Sequence, residues 1–250
     1  MVRTENMSID DARALVSQPA LWPRVRDFLW DFAPQVHESW LADIFARSGA
    51  AAQREDERSK SLCGSAALRE IQSPRVKRFI LKQLGVEPFF HSFPKDDGSR
   101  LALLDGATLL AIIRWLGALA CADELRKVTD GKTVRALKAA LPGVYPEVFG
   151  YTAYFPLSRG DEWIARRDAE TQSLADQVVL TGFNILLSAR TDLPASLVSR
   201  LKLKLPKSLC DSASLRETTS RRDRKDAVAR AAIFKLLKLK FPEAYSLCCS

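Results

Sequence analysis

The sequence predicts an all-α protein, an irregular helical bundle with long loops, and three observations support this fold class. Apolar residues recur at helical spacing along most of the 250-residue chain. Proline or glycine stands where most of these periodic segments end. With 47% hydrophobic and 27% charged residues, the composition supplies a substantial core and excludes a wholly disordered chain.

Residues 1–48 are predicted to form an N-terminal helical lobe. A first helix follows the N-cap Ser8, and a second places four apolar residues on one stripe before Pro34: Val25, Phe28, Leu29 and Phe32. A third helix is expected over residues 36–49. Trp30 lies off the apolar stripe and is the candidate exposed aromatic for a partner.

The rest of the chain is predicted to form a main helical domain over residues 67–250, after a candidate linker at 49–66. A single domain overall is the alternative. Val76, Phe79 and Ile80 define an apolar stripe of a helix that Gly85 ends. Residues 108–129 are predicted to be the central buried helix, because their first half is apolar on nearly all sides.

Further helices are predicted downstream of this central one. A short helix buries Val134, Leu137 and Leu141, and longer ones cover residues 174–189, 194–205 and 223–240. In the last of these, Arg230, Lys235 and Lys238 fall on one face, so the helix docks by its apolar side and presents cations. Residues 141–156 mix proline, glycine and aromatics and are predicted to pack irregularly, with a short strand at 151–155 as the alternative.

Basic residues are concentrated near the C-terminal end. Residues 197–240 carry thirteen Lys or Arg against four Asp or Glu, whereas the remainder is nearly neutral. A solvated basic face is the simplest interpretation, and a docking face for an acidic protein is the next. That candidate face comprises Arg200, Lys202, Lys204, Lys207, Arg221, Arg222, Arg224 and Lys225. A basic helical nucleic-acid-binding protein is the alternative, although no recognition motif accompanies the charge.

No catalytic, metal or cofactor site is predicted. Gly131-Lys132-Thr133 lacks the upstream glycine of a phosphate-binding loop, and His37 and His91 are too far apart in sequence to suggest a metal site. Four carboxylates surround Trp163 but alternate with arginines, which favours an ion-paired helix edge: Asp161, Glu162, Asp168 and Glu170. Cys121 lies in an apolar helix, where a buried hydrophobic role is expected.

The cellular location is expected to be cytoplasmic. Five cysteines without a C-x-x-C pair favour reduced thiols, and no secretory signal peptide is visible. The longest nearly uncharged run, residues 109–122, is too short to span a bilayer.

Residues 109–126, LLAIIRWLGALACADELR, resemble the central segment of the SctK family (YscK/PscK) of type III secretion sorting-platform proteins. The residues that carry this resemblance are Leu109, Leu110, Trp115, Leu116, Gly117, Leu125 and Arg126. Other pieces occur in the family's order. An early Leu21-Trp22 pair opens an N-terminal helix, residues 178–206 resemble an apolar helix followed by an arginine-leucine helix, and a lysine-leucine-rich helix closes the chain.

The resemblance implies a non-enzymatic adaptor at the cytoplasmic face of the inner membrane. Members of the family link the inner-membrane ring protein SctD to the pod protein SctQ, and through the pods to SctL and the ATPase SctN. The resemblance carries no catalytic residues and implies no cofactor and no nucleic acid. Membrane association is expected only through partners.

Overall fold

A computed structural model describes residues 22–52, 73–86, 100–155, 157, 173–189, 195–213 and 222–249. Within these residues the chain is 80% helical, with eleven α-helices and no strand, which confirms the all-α fold class. The helix predicted after Ser8 lies outside the described residues, as does the candidate linker beyond Ala52. The predicted domain division therefore stays a prediction.

The α-helices follow one another with short 3₁₀ turns between some of them. In chain order they are α1 (Trp22–Trp30), α2 (Glu38–Ala52), α3 (Pro74–Gln83), α4 (Gly106–Ala120), α5 (Ala122–Arg126), α6 (Gly131–Ala140), α7 (Leu174–Ser188), α8 (Ala195–Leu203), α9 (Lys207–Ala213), α10 (Arg222–Lys240) and α11 (Pro242–Cys249). None of these helices is long and apolar enough to cross a membrane.

The chain forms two compact units, and each draws on two separate stretches of sequence. Unit 1 comprises the described parts of Met1–Gly106 and Leu193–Lys207, and unit 2 those of Ala107–Asp192 and Ser208–Ser250. Helix α8 therefore packs with the N-terminal helices although more than a hundred residues separate them in sequence.

The core of unit 1 forms around the predicted stripe of α1. Val25, Phe28 and Phe32 are buried, and the two phenylalanine rings meet edge to face at 5.5 Å. Helix α2 continues to Ala52, three residues beyond its predicted end at Gly49. The Leu29 and Trp30 side chains lie outside the described part of the structure, so the proposed exposure of Trp30 stays untested.

Helix α3 ends at Gly85, as predicted, with a Schellman motif. Gly85 has φ +63°, a conformation that glycine adopts without steric cost, and Val86 N–H donates to Leu81 O at 2.9 Å. The predicted stripe is partly wrong, because Ile80 and Leu81 face the core whereas Phe79 is 39% exposed. Phe79 directly precedes these two residues and points about 100° away from Ile80 and about 160° away from Leu81 around the helix axis.

Unit 2 is organised around α4, which is shorter than the predicted central helix. The helix breaks at Cys121, so residues 108–129 form α4 and the separate short helix α5. Most of the family-resembling residues are core residues: Leu109, Trp115, Leu116, Gly117 and Leu125 are buried, Leu110 is half-buried, and Arg126 is exposed.

Helices α4 and α7 contact each other through glycine. A Cβ at Gly117 would lie 1.8 Å from the carbonyl oxygen of Val178, and one at Gly182 would lie 1.9 Å from that of Ile113. Neither position has room for a side chain, because the obstacle is backbone. The two glycines therefore set how closely the two buried helices approach.

Two further predictions for unit 2 are resolved by burial and backbone conformation. Helix α10 buries an apolar stripe and leaves Lys235 and Lys238 exposed, as predicted, whereas Arg230 is half-buried; the stripe comprises Ala229, Ala232, Ile233, Leu236 and Leu237. Residues 142–155 are irregular, with a 3₁₀ turn over Thr152–Tyr154 rather than the alternative strand.

Candidate functional site

Two cations of the predicted basic face are buried inside unit 1, and the prediction is corrected for them. Arg200 is 1% and Lys204 2% exposed. Lys204 Nζ donates to Ala102 O at 2.8 Å and to Leu104 O at 2.9 Å, and Arg200 donates to Phe28 O. Both charged groups bind backbone carbonyl oxygens inside unit 1, so neither side chain is available to a partner at the surface.

Aromatic rings complete the environment of these two cations. The Arg200 guanidinium carbon lies 5.4 Å from the Phe28 ring centroid and 5.3 Å from that of Phe32. Lys204 Nζ lies 4.9 Å from the Phe28 centroid. The negative faces of the rings and the carbonyl oxygens together offset part of the cost of removing two charges from water. Helix α8 is anchored to α1 by these contacts.

The other two cations of this segment, Lys202 and Lys207, are half-buried. Lys207 Nζ lies 5.7 Å from the Trp40 ring centroid, and its backbone N–H donates to Ser39 Oγ at 2.9 Å. Trp40 Nε1 in turn donates to Leu205 O at 2.9 Å. The segment after α8 is thus attached to the start of α2.

The remaining members of the predicted face lie beyond what the structure describes. Arg221 is outside the described residues, and the side chains of Arg222, Arg224 and Lys225 on the first turns of α10 are outside them as well. Their role in docking stays a prediction. The carboxylates around Trp163 and the side chain of His91 are also outside.

Unit 2 carries an exposed surface that combines cations with large apolar side chains. Tyr154 is 60% and Leu239 49% exposed. Lys235 Nζ donates to Tyr154 O at 2.8 Å and lies 5.6 Å from the Phe155 ring centroid. Lys238 lies beside Leu239 on the same side of α10, one turn after Lys235. We call Tyr154, Lys235, Lys238 and Leu239 the Tyr154 surface.

Lys240 fixes the end of α10 next to this surface. It forms an ion pair with Glu147, and its Nζ lies 4.2 Å from the Tyr151 ring centroid and 4.8 Å from that of Trp115. Burial lowers the pKa of Lys240, but its hydrogen bonds to Glu147 and Tyr151 outweigh that effect and the pKa is raised. Lys240 therefore remains cationic at neutral pH.

Arg126, one of the family-resembling residues, also contacts this irregular segment. Its guanidinium donates to Thr152 Oγ1 at 2.7 Å and to Asp123 at 3.1 Å, and it lies 5.6 Å from the Phe149 ring centroid. The 3₁₀ turn that carries Tyr154 is thus held in place by Arg126, Lys235 and Lys240. An exposed aromatic side chain on a turn that is held in this way is suited to protein binding.

The exposed position of Tyr154 beside the cations of α10 could not be predicted from the sequence. The aromatic content of residues 141–156 and the cations of α10 are both visible in the sequence, but nothing in the spacing shows that they meet. The contacts between these two segments join residues 80 or more positions apart, as in the pair Lys235 and Phe155.

No group of three or more His, Cys, Asp or Glu among the described residues could hold a metal ion. His37 accepts a hydrogen bond from the Ser39 backbone N–H at 3.2 Å and so helps to begin α2. Burial raises the pKa of the Cys121 thiol to about 12, the main cause being loss of solvent.

Thiol labelling should distinguish the buried Cys121 from the exposed Cys249. At pH 8 only roughly one Cys121 in ten thousand would be a thiolate, so we expect no alkylation of the native protein there. The exposed Cys249 should react readily. Peptide mass spectrometry after a short iodoacetamide pulse measures both, and fast labelling of Cys121 would show that α4 opens.

Comparison with known proteins identifies the chain. The family model described as YOP proteins translocation protein K (YscK) matches residues 33–248. The chain belongs to the YscK family. Within the same comparisons, no curated protein and no solved structure matches it.

Membership of the YscK family makes the chain a type III secretion protein. The family is a component of the secretion apparatus and is not a known enzyme family. Interaction with other type III secretion components follows from membership. Such components would bind through side chains that are exposed on unit 1 or on unit 2.

Proposed function

We propose that this YscK-family protein is a non-enzymatic adaptor of the injectisome that links the inner-membrane ring protein SctD to the pod protein SctQ. Through SctQ it would connect indirectly to SctL and the ATPase SctN. It would act at the cytoplasmic face of the inner membrane, held there by its partners. Family membership supports this role, and the Tyr154 surface is the observation that carries it.

The Tyr154 surface has the composition of a binding site for an acidic protein. Tyrosine is enriched among residues that dominate binding energy, because it supplies a large apolar area with a polar end. Lys235, which contacts Tyr154, and Lys238, one turn further along α10, are both exposed and would attract a partner of opposite charge. Since contacts from Lys235 and Lys240 already fix the turn, little ordering is needed when a partner binds.

Removing the exposed apolar side chains should weaken partner binding. We expect the double substitution Tyr154→Ala and Leu239→Ala to lower the affinity for the SctQ homologue or the SctD cytoplasmic domain at least about tenfold, or about 1.4 kcal/mol. Both residues are largely exposed, so the melting temperature should change little. Isothermal titration with each purified bait measures the affinity, and unchanged binding to both would exclude this surface.

Charge reversal at the start of α10 tests the basic face that the sequence predicts. A variant with glutamate at positions 221, 222, 224 and 225 should weaken pod assembly and abolish secretion, because like charges would then face an acidic partner. Secreted protein in the culture supernatant is the readout, with the variant at normal cellular level. Normal secretion by this variant would contradict the docking role of Arg221, Arg222, Arg224 and Lys225.

The nucleic-acid alternative has a separate readout. A gel shift with duplex DNA and with single-stranded RNA at physiological salt would reveal binding driven by phosphate contacts. Tight binding there, together with failure to bind SctQ or SctD, would replace the adaptor proposal.

A further inference from the structure

Unit 1 presents a second exposed basic face, on helix α3. Arg75, Arg78, Phe79 and Lys82 lie at positions i, i+3, i+4 and i+7, which places them on one side of the helix. The three cations are exposed and Phe79 is 39% exposed. We call these four residues the α3 face. This face was not predicted from the sequence, because the spacing of Phe79 favours the core and the basic excess lies in residues 197–240.

The opposite side of α3 holds the helix against unit 1. Ile80 and Leu81 are buried, and Val86 is buried directly after the Schellman motif. Lys77 Nζ pairs with Asp31 Oδ1 at 2.5 Å, which ties α3 to the residue that follows α1. The α3 face is therefore carried by a helix that is fixed at its core side and at its C-terminal end.

No acidic residue offsets the charge of this face within the helix. The α3 sequence, PRVKRFILKQ, contains no Asp or Glu. Among the described residues, Arg75, Arg78 and Lys82 form no ion pair or hydrogen bond, whereas Lys77 on the core side is paired. Arg75 and Lys82 are about 10 Å apart along the helix axis, a span of two turns.

We propose that the α3 face binds an acidic segment of a partner protein, with Phe79 as the apolar anchor between three cations. This inference rests on the proposed function, since it takes the partner to be SctQ or the SctD cytoplasmic domain. Carboxylates spaced over two turns of a helix would complement Arg75, Arg78 and Lys82, and an apolar side chain among them would cover Phe79.

A protein partner fits this face better than a membrane or a nucleic acid. An amphipathic helix binds a lipid surface through its apolar side, but the apolar side of α3 is already buried in unit 1. Three cations can neutralise only about three phosphates, which supplies little affinity for a nucleic acid at physiological salt. An acidic protein segment can use the cations and Phe79 together.

The test compares three full-length variants with the native chain. In the first, Arg75, Arg78 and Lys82 are changed to glutamate; in the second, Phe79→Ala is made alone. The matched control changes Lys132, Arg135 and Lys138 of α6 to glutamate, because α6 is also ten residues long and its three cations are exposed. The control alters the net charge equally but has no exposed large apolar residue on its helix.

Each variant is titrated against the SctQ homologue and the SctD cytoplasmic domain, and circular dichroism checks that it is folded. We expect the α3 triple variant to lose affinity for one bait at least about tenfold and Phe79→Ala about fivefold. The α6 control should retain affinity within about twofold. If the triple variant does not fold, the affinities of Phe79→Ala and of the milder Arg78→Gln for the two baits test the proposal instead. Each of these substitutions leaves the core side of α3 unchanged.

Each other outcome is informative. If the native chain binds a bait and the α3 variants bind it equally well, the α3 face is not a binding site and the proposed function still stands. An equal loss in the α6 control would assign the effect to net charge and overturn the inference. If the α3 triple variant loses binding to anionic vesicles or to duplex DNA but still binds the protein baits, the α3 face binds a lipid surface or a nucleic acid and the proposed protein partner is wrong. If the native chain binds neither bait, the proposed function and this inference both fail.

Discussion

Replacing Gly117 by alanine is expected to destabilise unit 2 by about 3 kcal/mol or more, one of the two largest effects that we expect among the described residues. The new Cβ would lie 1.8 Å from Val178 O and 2.8 Å from the carbonyl carbon. Because these are backbone atoms of α7, the overlap can be relieved only by moving two buried helices apart. Thermal or urea unfolding followed by circular dichroism measures the loss.

A matched substitution isolates the steric cause. Gly131 begins α6 and has nothing within 4 Å of the position where a Cβ would stand. Gly131→Ala should therefore leave stability unchanged or raise it slightly, since alanine is the better helix former. Gly182→Ala should resemble Gly117→Ala. If Gly117→Ala proved as stable as Gly131→Ala, the close approach of α4 and α7 would be wrong.

Replacing Lys204 by methionine should destabilise unit 1 by about 2–4 kcal/mol. Methionine keeps the length and most of the volume of the side chain but cannot donate to Ala102 O and Leu104 O. Two buried carbonyl groups would lose a donor, and each such loss costs about 1–3 kcal/mol. The attraction of the ammonium group to the Phe28 ring, 4.9 Å away, would be lost as well.

The control for this prediction is an exposed lysine. Lys138→Met on α6 removes the same charge from a solvent-exposed site and should change stability by less than about 0.5 kcal/mol. A Lys204→Met protein as stable as this control would mean that Lys204 contributes to a surface after all. It would also restore Lys204 to the basic face that the sequence predicts.

Much of the local structure could be predicted from the sequence because it depends on neighbours within a few residues. The stripe of Val25, Phe28 and Phe32 and the end of α3 at Gly85 were confirmed. The helical period, and the ability of glycine to adopt the left-handed conformation without steric cost, are properties of short segments. The family was predicted in the same way, from short segments in a shared order, and the match over residues 33–248 confirmed it.

The candidate binding surfaces could be predicted only in part, because a cation's charge does not show where it lies. In the sequence, Arg200 and Lys204 cannot be distinguished from the cations of an exposed basic face. In the structure, both are buried beside Phe28. Phe79 was assigned to the core from its spacing, although Ile80 and Leu81 fill that side of α3. Helical spacing leaves open which apolar residues at the margins of a stripe are buried, and packing against other segments decides this.

The sequence by itself determined that this chain is helical, where most of its helices begin and end, and to which family it belongs. The tertiary structure decided which charges are internal and which can meet a partner. Burial depends on contacts between distant segments, such as α8 against α1 in unit 1 and Lys235 against Tyr154 in unit 2. The local spacing of residues does not reveal those contacts, because the free energy that stabilises them arises only when the distant segments pack together.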